Sequence, residues 1–191
     1  MSFADLLRGV DRTALRARLA STTAAEVESA LRRPSLADRE VAALFSPAAD
    51  AHLEAMAQRS CALTQRRFGK VVVLYAPLYL SNECVNRCIY CGFSGELAIP
   101  RTTLTPAQAL AQAELLRAEG FRHILLVSGE SRRHVGMDYL VEVVRGLRPR
   151  FDSISIEIHP LDEEEYRALA LEGVDGLALY QEAYDPDRYL E

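Results

Sequence analysis

The chain has 191 residues, of which 49% are hydrophobic and 26% charged, with a formal net charge of −5. That composition suits one well-buried domain and tells against nucleic acid as a partner, since phosphates call for a positive face. No apolar run approaches the ~20 residues of a membrane helix, and the opening MSFADLLRGVDR carries acids where a signal peptide would be apolar, so the expected location is the reducing cytosol.

Residues 1–69 read as an N-terminal run of short helices. Ser2 with Asp5, Thr23 with Glu26, and Ser35 with Asp38 each place a capping oxygen three residues before an acid. Pro34 stops the helix that Thr23 starts. Ser46 and Pro47 open a longer helix, with Ser as cap, whose apolar positions Ala49, Leu53, Met56 and Leu63 keep the helical period until Gly69 ends it. His52 and Cys61 on this helix read as packing or surface residues, and the region carries no recognisable chemistry.

From residue 70 strand and helix alternate. A β-branched run at 71–75 leads into the loop 77–94, PLYLSNECVNRCIYCGFS. Thr105 and Pro106 with Gln108 open a helix that Gly120 closes, and 123–127 reads as a buried strand followed by Ser128, Gly129 and Glu130. A helix over 139–147 ends at Pro149, 153–158 is the third strand, Asp162 with Glu165 starts a helix that stops at Gly173, and 176–180 is the fourth strand. Short apolar strands joined through helices predict an α/β fold with a parallel sheet and right-handed crossovers. Asp185 and Pro186 read as one more helix start about one turn before Glu191. Four strands cannot close a barrel of about eight. The expectation is therefore part of a longer enzyme: a helical region over 1–69, then an incomplete (β/α) barrel over 70–191.

Three of the four cysteines, Cys84, Cys88 and Cys91, fall in one loop at the spacing C-x3-C-x2-C. Iron–sulfur clusters of the cubane type usually take four cysteines. Three thiolates leave one iron without a protein ligand, open to something else. Tyr90 and Phe93 offer aromatic faces beside the loop where a planar ring could stack, and Gly92 lets the backbone come close. A zinc loop or a disulfide are the alternatives. Zinc sites more often pair C-x2-C with a second distant pair, which is missing here, and a disulfide would leave an odd thiol in a chain with no sign of export.

Ligands of parallel sheets meet the carboxyl ends of the strands, and the unusual polar residues gather there. Ser128, Gly129 and Glu130 follow the second strand, where Gly129 lets the backbone approach a ligand and Glu130 can accept from its ammonium. Glu157 sits among apolar neighbours in the third, with His159 two residues on, and Gln181 and Glu182 follow the fourth. Singly, Glu130 also reads as a helix-start acid, Glu157 as an outward-facing strand residue and His159 as a loop histidine.

The C-x3-C-x-aromatic-C string is identified as the cluster motif of the radical S-adenosylmethionine enzymes. PLYLSNECVNRCIYCGFS, with FSPAADAHLEAMAQRSCALTQRRFG at 45–69 before it, more narrowly resembles the 2-iminoacetate synthase family, the tyrosine lyases of thiamin thiazole synthesis. The resemblance covers the chain from about Ser46 onward. It implies a partial radical-SAM-type barrel with a 4Fe–4S cluster on Cys84, Cys88 and Cys91. It also implies S-adenosylmethionine against Tyr90, Phe93, Ser128, Gly129, Glu130 and Glu157, with substrate near Gln181 and Glu182. The implied reaction breaks the Cα–Cβ bond of L-tyrosine to give 2-iminoacetate and p-cresol. The implied partners are a flavodoxin- or ferredoxin-type electron donor and a thiazole synthase. The chain departs from the family pattern at Ala183, where threonine is usual, and at GELAIPR (95–101), where a basic stretch is common. Two readings stay open beside it: the tyrosine lyase of FeFe-hydrogenase maturation, which shares the PLYLSN-type loop, and a non-catalytic iron–sulfur or zinc-binding protein.

Overall fold

A computed structural model describes residues 3–180, with side chains from residue 5 onward. Ser2, the residues from Gln181 to Glu191, and with them the Asp185 helix start, lie outside the described residues. The chain divides into two compact units, Met1–Val71 and Val72–Glu191.

The first unit is helical: α1 (Phe3–Arg8), α2 (Arg12–Ser21), α3 (Ala24–Arg32), α4 (Asp38–Leu44), a 3-10 turn (Pro47–His52) and α5 (Leu53–Phe68). Thr23 caps α3 in a reciprocal box with Glu26, and Gly69 ends α5 at φ 65°. Asp11 caps α2, a helix start the sequence reading does not name, accepting from the Ala14 amide at 2.9 Å. Two expectations need correction. The helix assigned to Ser35 starts instead behind Ala37, because the Glu40 carboxylate reaches back to the Ala37 amide at 3.0 Å and supplies the missing acceptor. Ser46 does not cap with its side chain: its hydroxyl donates back to the Ala43 carbonyl at 2.7 Å, and the turn behind Pro47 is 3-10 before it relaxes into α5.

The second unit runs β1 (Tyr75–Ser81), α6 (Pro106–Ala118), β2 (His123–Ser128), α7 (Met137–Leu147), β3 (Ser153–Glu157), α8 (Glu163–Glu172), β4 (Gly176–Leu177). All strand pairs are parallel and their order is β1-β2-β3-β4. Sequential order without reversal is the winding of a (β/α) barrel rather than of a doubly wound sheet. Accordingly α6, α7 and α8 share one core with a single sheet face, where Leu78, Leu126 and Ile156 lie in register beneath Ala113, Val143, Leu147 and Leu169. The other face carries Tyr79, Val127 and Glu157 in one row, with Tyr79 55% exposed.

The first strand lies later than the run at 71–75 suggests. Tyr75 pairs with His123, the first residue of β2, so nothing remains for residues 71–74 to pair with, and they stand exposed. Pro77 falls inside β1, which is tolerable because β1 is an edge strand. The fourth strand is shorter than expected, two residues against five.

Candidate functional site

The Cys loop leaves β1 at Ser81 and is closed by hydrogen bonds at its base. The Asn82 side chain donates to the Pro100 carbonyl at 2.9 Å and accepts from the Thr102 amide at 2.7 Å. The Ser81 and Thr103 hydroxyls meet at 2.7 Å. Arg101 then spans the loop mouth, its guanidinium donating to the carbonyls of Asn82, Phe93, Ser94 and Leu97 at 2.6 to 3.1 Å. A planar fork of five donors suits a ring of backbone acceptors. Arg101 is the one basic residue of the stretch 95–101, and it fastens the loop.

Within the loop Cys84, Cys88 and Cys91 are free thiols, each half-buried. The Cys91 amide donates to the Cys88 carbonyl, and the Phe93 amide points at the Cys91 sulfur at 3.4 Å. Burial first, then the neighbouring Cys91 and Cys84, push the Cys88 thiol up. Among the described residues no three His, Cys, Asp or Glu side chains are set to hold a single metal ion. A cubane makes no such demand, since each thiolate takes a different iron. The donor set fits a cluster: soft, unpaired thiols crowded on a short loop, whose mutual charge a metal centre would neutralise. Cys61 is exposed on α5.

The loop after β2 grips the Cys loop from the side. The Gly129 amide donates to the Ser81 carbonyl at 3.0 Å, and a Cβ on Gly129 would run into the Glu83 carbonyl oxygen and stand 3.1 Å from Cys84 Cβ. The Val85 amide donates to the Glu130 carbonyl at 3.0 Å, while the Asn86 amide group donates to the Glu130 carboxylate at 2.7 Å. The Ser131 hydroxyl meets His134 Nδ1 at 2.8 Å, and the other imidazole nitrogen stands 3.9 Å from the Glu83 carboxylate. Glu130 is thus no helix cap, since α7 begins seven residues on behind Gly136.

The remaining residues singled out from the sequence fall into place unevenly. Tyr90 is 66% exposed on the loop, whereas Phe93 sets its ring edge-on to Tyr79, with centroids 5.9 Å apart. Ser128 ends β2 with its hydroxyl buried and without a hydrogen-bond partner among the described residues. Glu157 is half-buried in the row with Tyr79 and Val127. Gln181 and Glu182 lie outside the described residues. His159 is only 4% exposed, and burial, then the charge of Arg132, lower its pKa. Arg132 is itself held by Glu165 at 2.7 and 2.8 Å. Sequence reasoning missed Asn86, which lies between Cys84 and Cys88, and Arg101.

The family described as the Radical SAM superfamily matches residues 78–191. The chain is 45% identical over 188 residues to the 2-iminoacetate synthase of Escherichia coli (strain K12), covering 98% of this chain and 50% of that protein. It is 42% identical over 190 residues to the 2-iminoacetate synthase of Salmonella typhimurium (strain LT2), covering 100% and 50%. The crystal structure of HydG, a maturase of the FeFe-hydrogenase, matches with a TM-score of 0.82 at 25% identity over 94% of this chain and 43% of that one. The chain spans about half the length of the curated relatives it matches.

Proposed function

Because the chain belongs to the radical SAM superfamily, we propose that the protein carrying it is a 2-iminoacetate synthase, a lyase that breaks the Cα–Cβ bond of L-tyrosine into 2-iminoacetate and p-cresol for the thiazole of thiamin. The observation that carries this is the 45% identity to that synthase, sustained over 98% of the chain. In this reading Cys84, Cys88 and Cys91 hold a 4Fe–4S cluster and the fourth iron is left for S-adenosylmethionine. When bound, the cluster would supply the electron for reductive cleavage of this cofactor, while Cys84, Cys88 and Cys91 would hold the cluster. Glu130 accepts from the methionine ammonium beside Ser128 and Gly129. Tyr90 and Phe93 flank the adenine, Glu157 lies toward ribose or substrate, and Gln181 and Glu182 toward tyrosine. The protein orients the cofactor and keeps water away. A flavodoxin- or ferredoxin-type donor, a thiazole synthase partner and a cytosolic setting, where free thiols persist, belong to the same reading.

A second reading, the tyrosine lyase of FeFe-hydrogenase maturation, draws on the likeness to HydG. In that reading the whole protein would hold a second cluster, so iron beyond one cubane per chain would favour it. The test is anaerobic reconstitution of the natural protein, counting iron and sulfide, then assaying p-cresol and 5′-deoxyadenosine. Cys84→Ala, Cys88→Ala and Cys91→Ala should each abolish the cluster and both products, while Cys61→Ala keeps them. A cubane signal surviving in reduced Cys88→Ala protein would sink the assignment.

A further inference from the structure

The cysteine loop and the carboxylate that would meet the cofactor ammonium are one mechanical piece, joined through a residue that ligates nothing. Asn86 stands between Cys84 and Cys88, and its amide group donates to the Glu130 carboxylate at 2.7 Å. One residue earlier the Val85 amide donates to the Glu130 main-chain carbonyl at 3.0 Å. Glu130 is therefore held at both its backbone and its side chain by consecutive residues of the Cys loop. The Asn86 carbonyl in turn accepts from the Gly95 amide at 2.7 Å, where a Cβ would come within 2.9 Å of the Cys84 carbonyl. That fixes Asn86 to the far side of the loop as well.

The hydrogen bond goes to one carboxylate oxygen, and a carboxylate has about four lone-pair sites. A neutral amide donor leaves the negative charge in place while choosing the rotamer, which is how a site holds an acceptor ready for a cation without neutralising it. We propose that Asn86 is a positioning residue for cofactor binding: it locks Glu130 in the orientation that receives the ammonium, so that the order of the Cys loop and the affinity for the amino-acid end of the cofactor are coupled. This rests on the function proposed above.

The experiment is a double-mutant cycle on the natural protein, loaded with its cluster and titrated anaerobically with S-adenosylmethionine. Asn86→Ala should weaken binding about tenfold, as loss of a hydrogen bond to a charged group does, with iron and sulfide unchanged. Added to Glu130→Gln it should cost no more than about a further twofold, because both changes remove one interaction. The affinity for 5′-methylthioadenosine, which has no amino-acid end, should not move in Asn86→Ala, whereas a merely structural role would weaken both ligands. Should Asn86→Ala lose its cluster, Asn86→Asp, which keeps the size and replaces the donor by a carboxylate, is read by the same criteria. Wild-type affinity in the Asn86 variant, or full additivity with Glu130→Gln, overturns the proposal and leaves the proposed function standing. A wild-type protein that holds its cluster and binds no S-adenosylmethionine overturns both.

Discussion

At Gly129 the chain has no room for a methyl group, and the neighbour that takes the room is protein. The sequence suggests that this glycine lets backbone approach a ligand. In the structure the backbone it approaches is Glu83 and Cys84 of the Cys loop. Gly129→Ala must push the two loops apart, and overpacking of this kind costs about 1–3 kcal/mol. Denaturant unfolding should register that loss, and reconstituted iron should fall with it. Gly92 is the contrast: a Cβ there meets nothing within 4 Å, so Gly92→Ala should stay within about 0.5 kcal/mol of wild type. Equal stability of the two variants would show that the loop contact carries no weight. Single residues were legible in the sequence when their type is rare in its setting, as three clustered cysteines are. Asn86 and Arg101 act through backbone carbonyls and one carboxylate brought close by folding, and asparagine and arginine in a loop carry no such mark.

The helix starts were legible where both halves of a capping box are local. Thr105 with Gln108 and Asp162 with Glu165 form as read, and Gly120 and Gly173 close those helices at positive φ. Ser35 misled because Glu40 could cap from inside the helix, and the run at 71–75 misled because a strand exists only where a neighbour pairs with it. The exit of β3 holds what periodicity could not supply, the burial of His159 beneath Arg132 and Glu165. Its pKa lies below the usual imidazole value of about 6.5, so folding favours the neutral ring. Above that value the ring is neutral folded or unfolded, and no stability is lost. As pH falls below it the unfolded chain takes the proton first, and native stability declines until the folded pKa is passed. Thermal melts from pH 8 to 5 should therefore show a falling limb that His159→Gln flattens. A limb unchanged in that variant would assign the acid sensitivity elsewhere.

On the scale of the sheet, the described helices of its own unit, α6, α7 and α8, cover one face only, and parallel sheets are ordinarily covered on both. The uncovered face bears Tyr75 and Tyr79 at 58% and 55% exposure, and the carboxyl ends beside it carry the Cys loop, Glu130 and Glu157. That a barrel winding was legible follows from strands and helices in strict alternation. What occupies the open face was not, because among the described residues of this unit no element packs on it; the chain spans about half the length of the curated relatives it matches. In a closed barrel this face is interior, packed by layers of side chains and screened from water. If the whole protein closes its barrel over this face, a polypeptide confined to residues 1–191 would leave it wet, and the chemistry proposed above would meet solvent there. Such a polypeptide should bind an apolar dye such as anilinonaphthalene sulfonate, take up iron poorly, and release no p-cresol from tyrosine under conditions where, on the proposed function, the natural protein would. The dye and the product assay separate the two parts of the argument. Dye binding with no p-cresol fits an exposed interior, and p-cresol from residues 1–191 alone would show that four strands and their loops already make a working site.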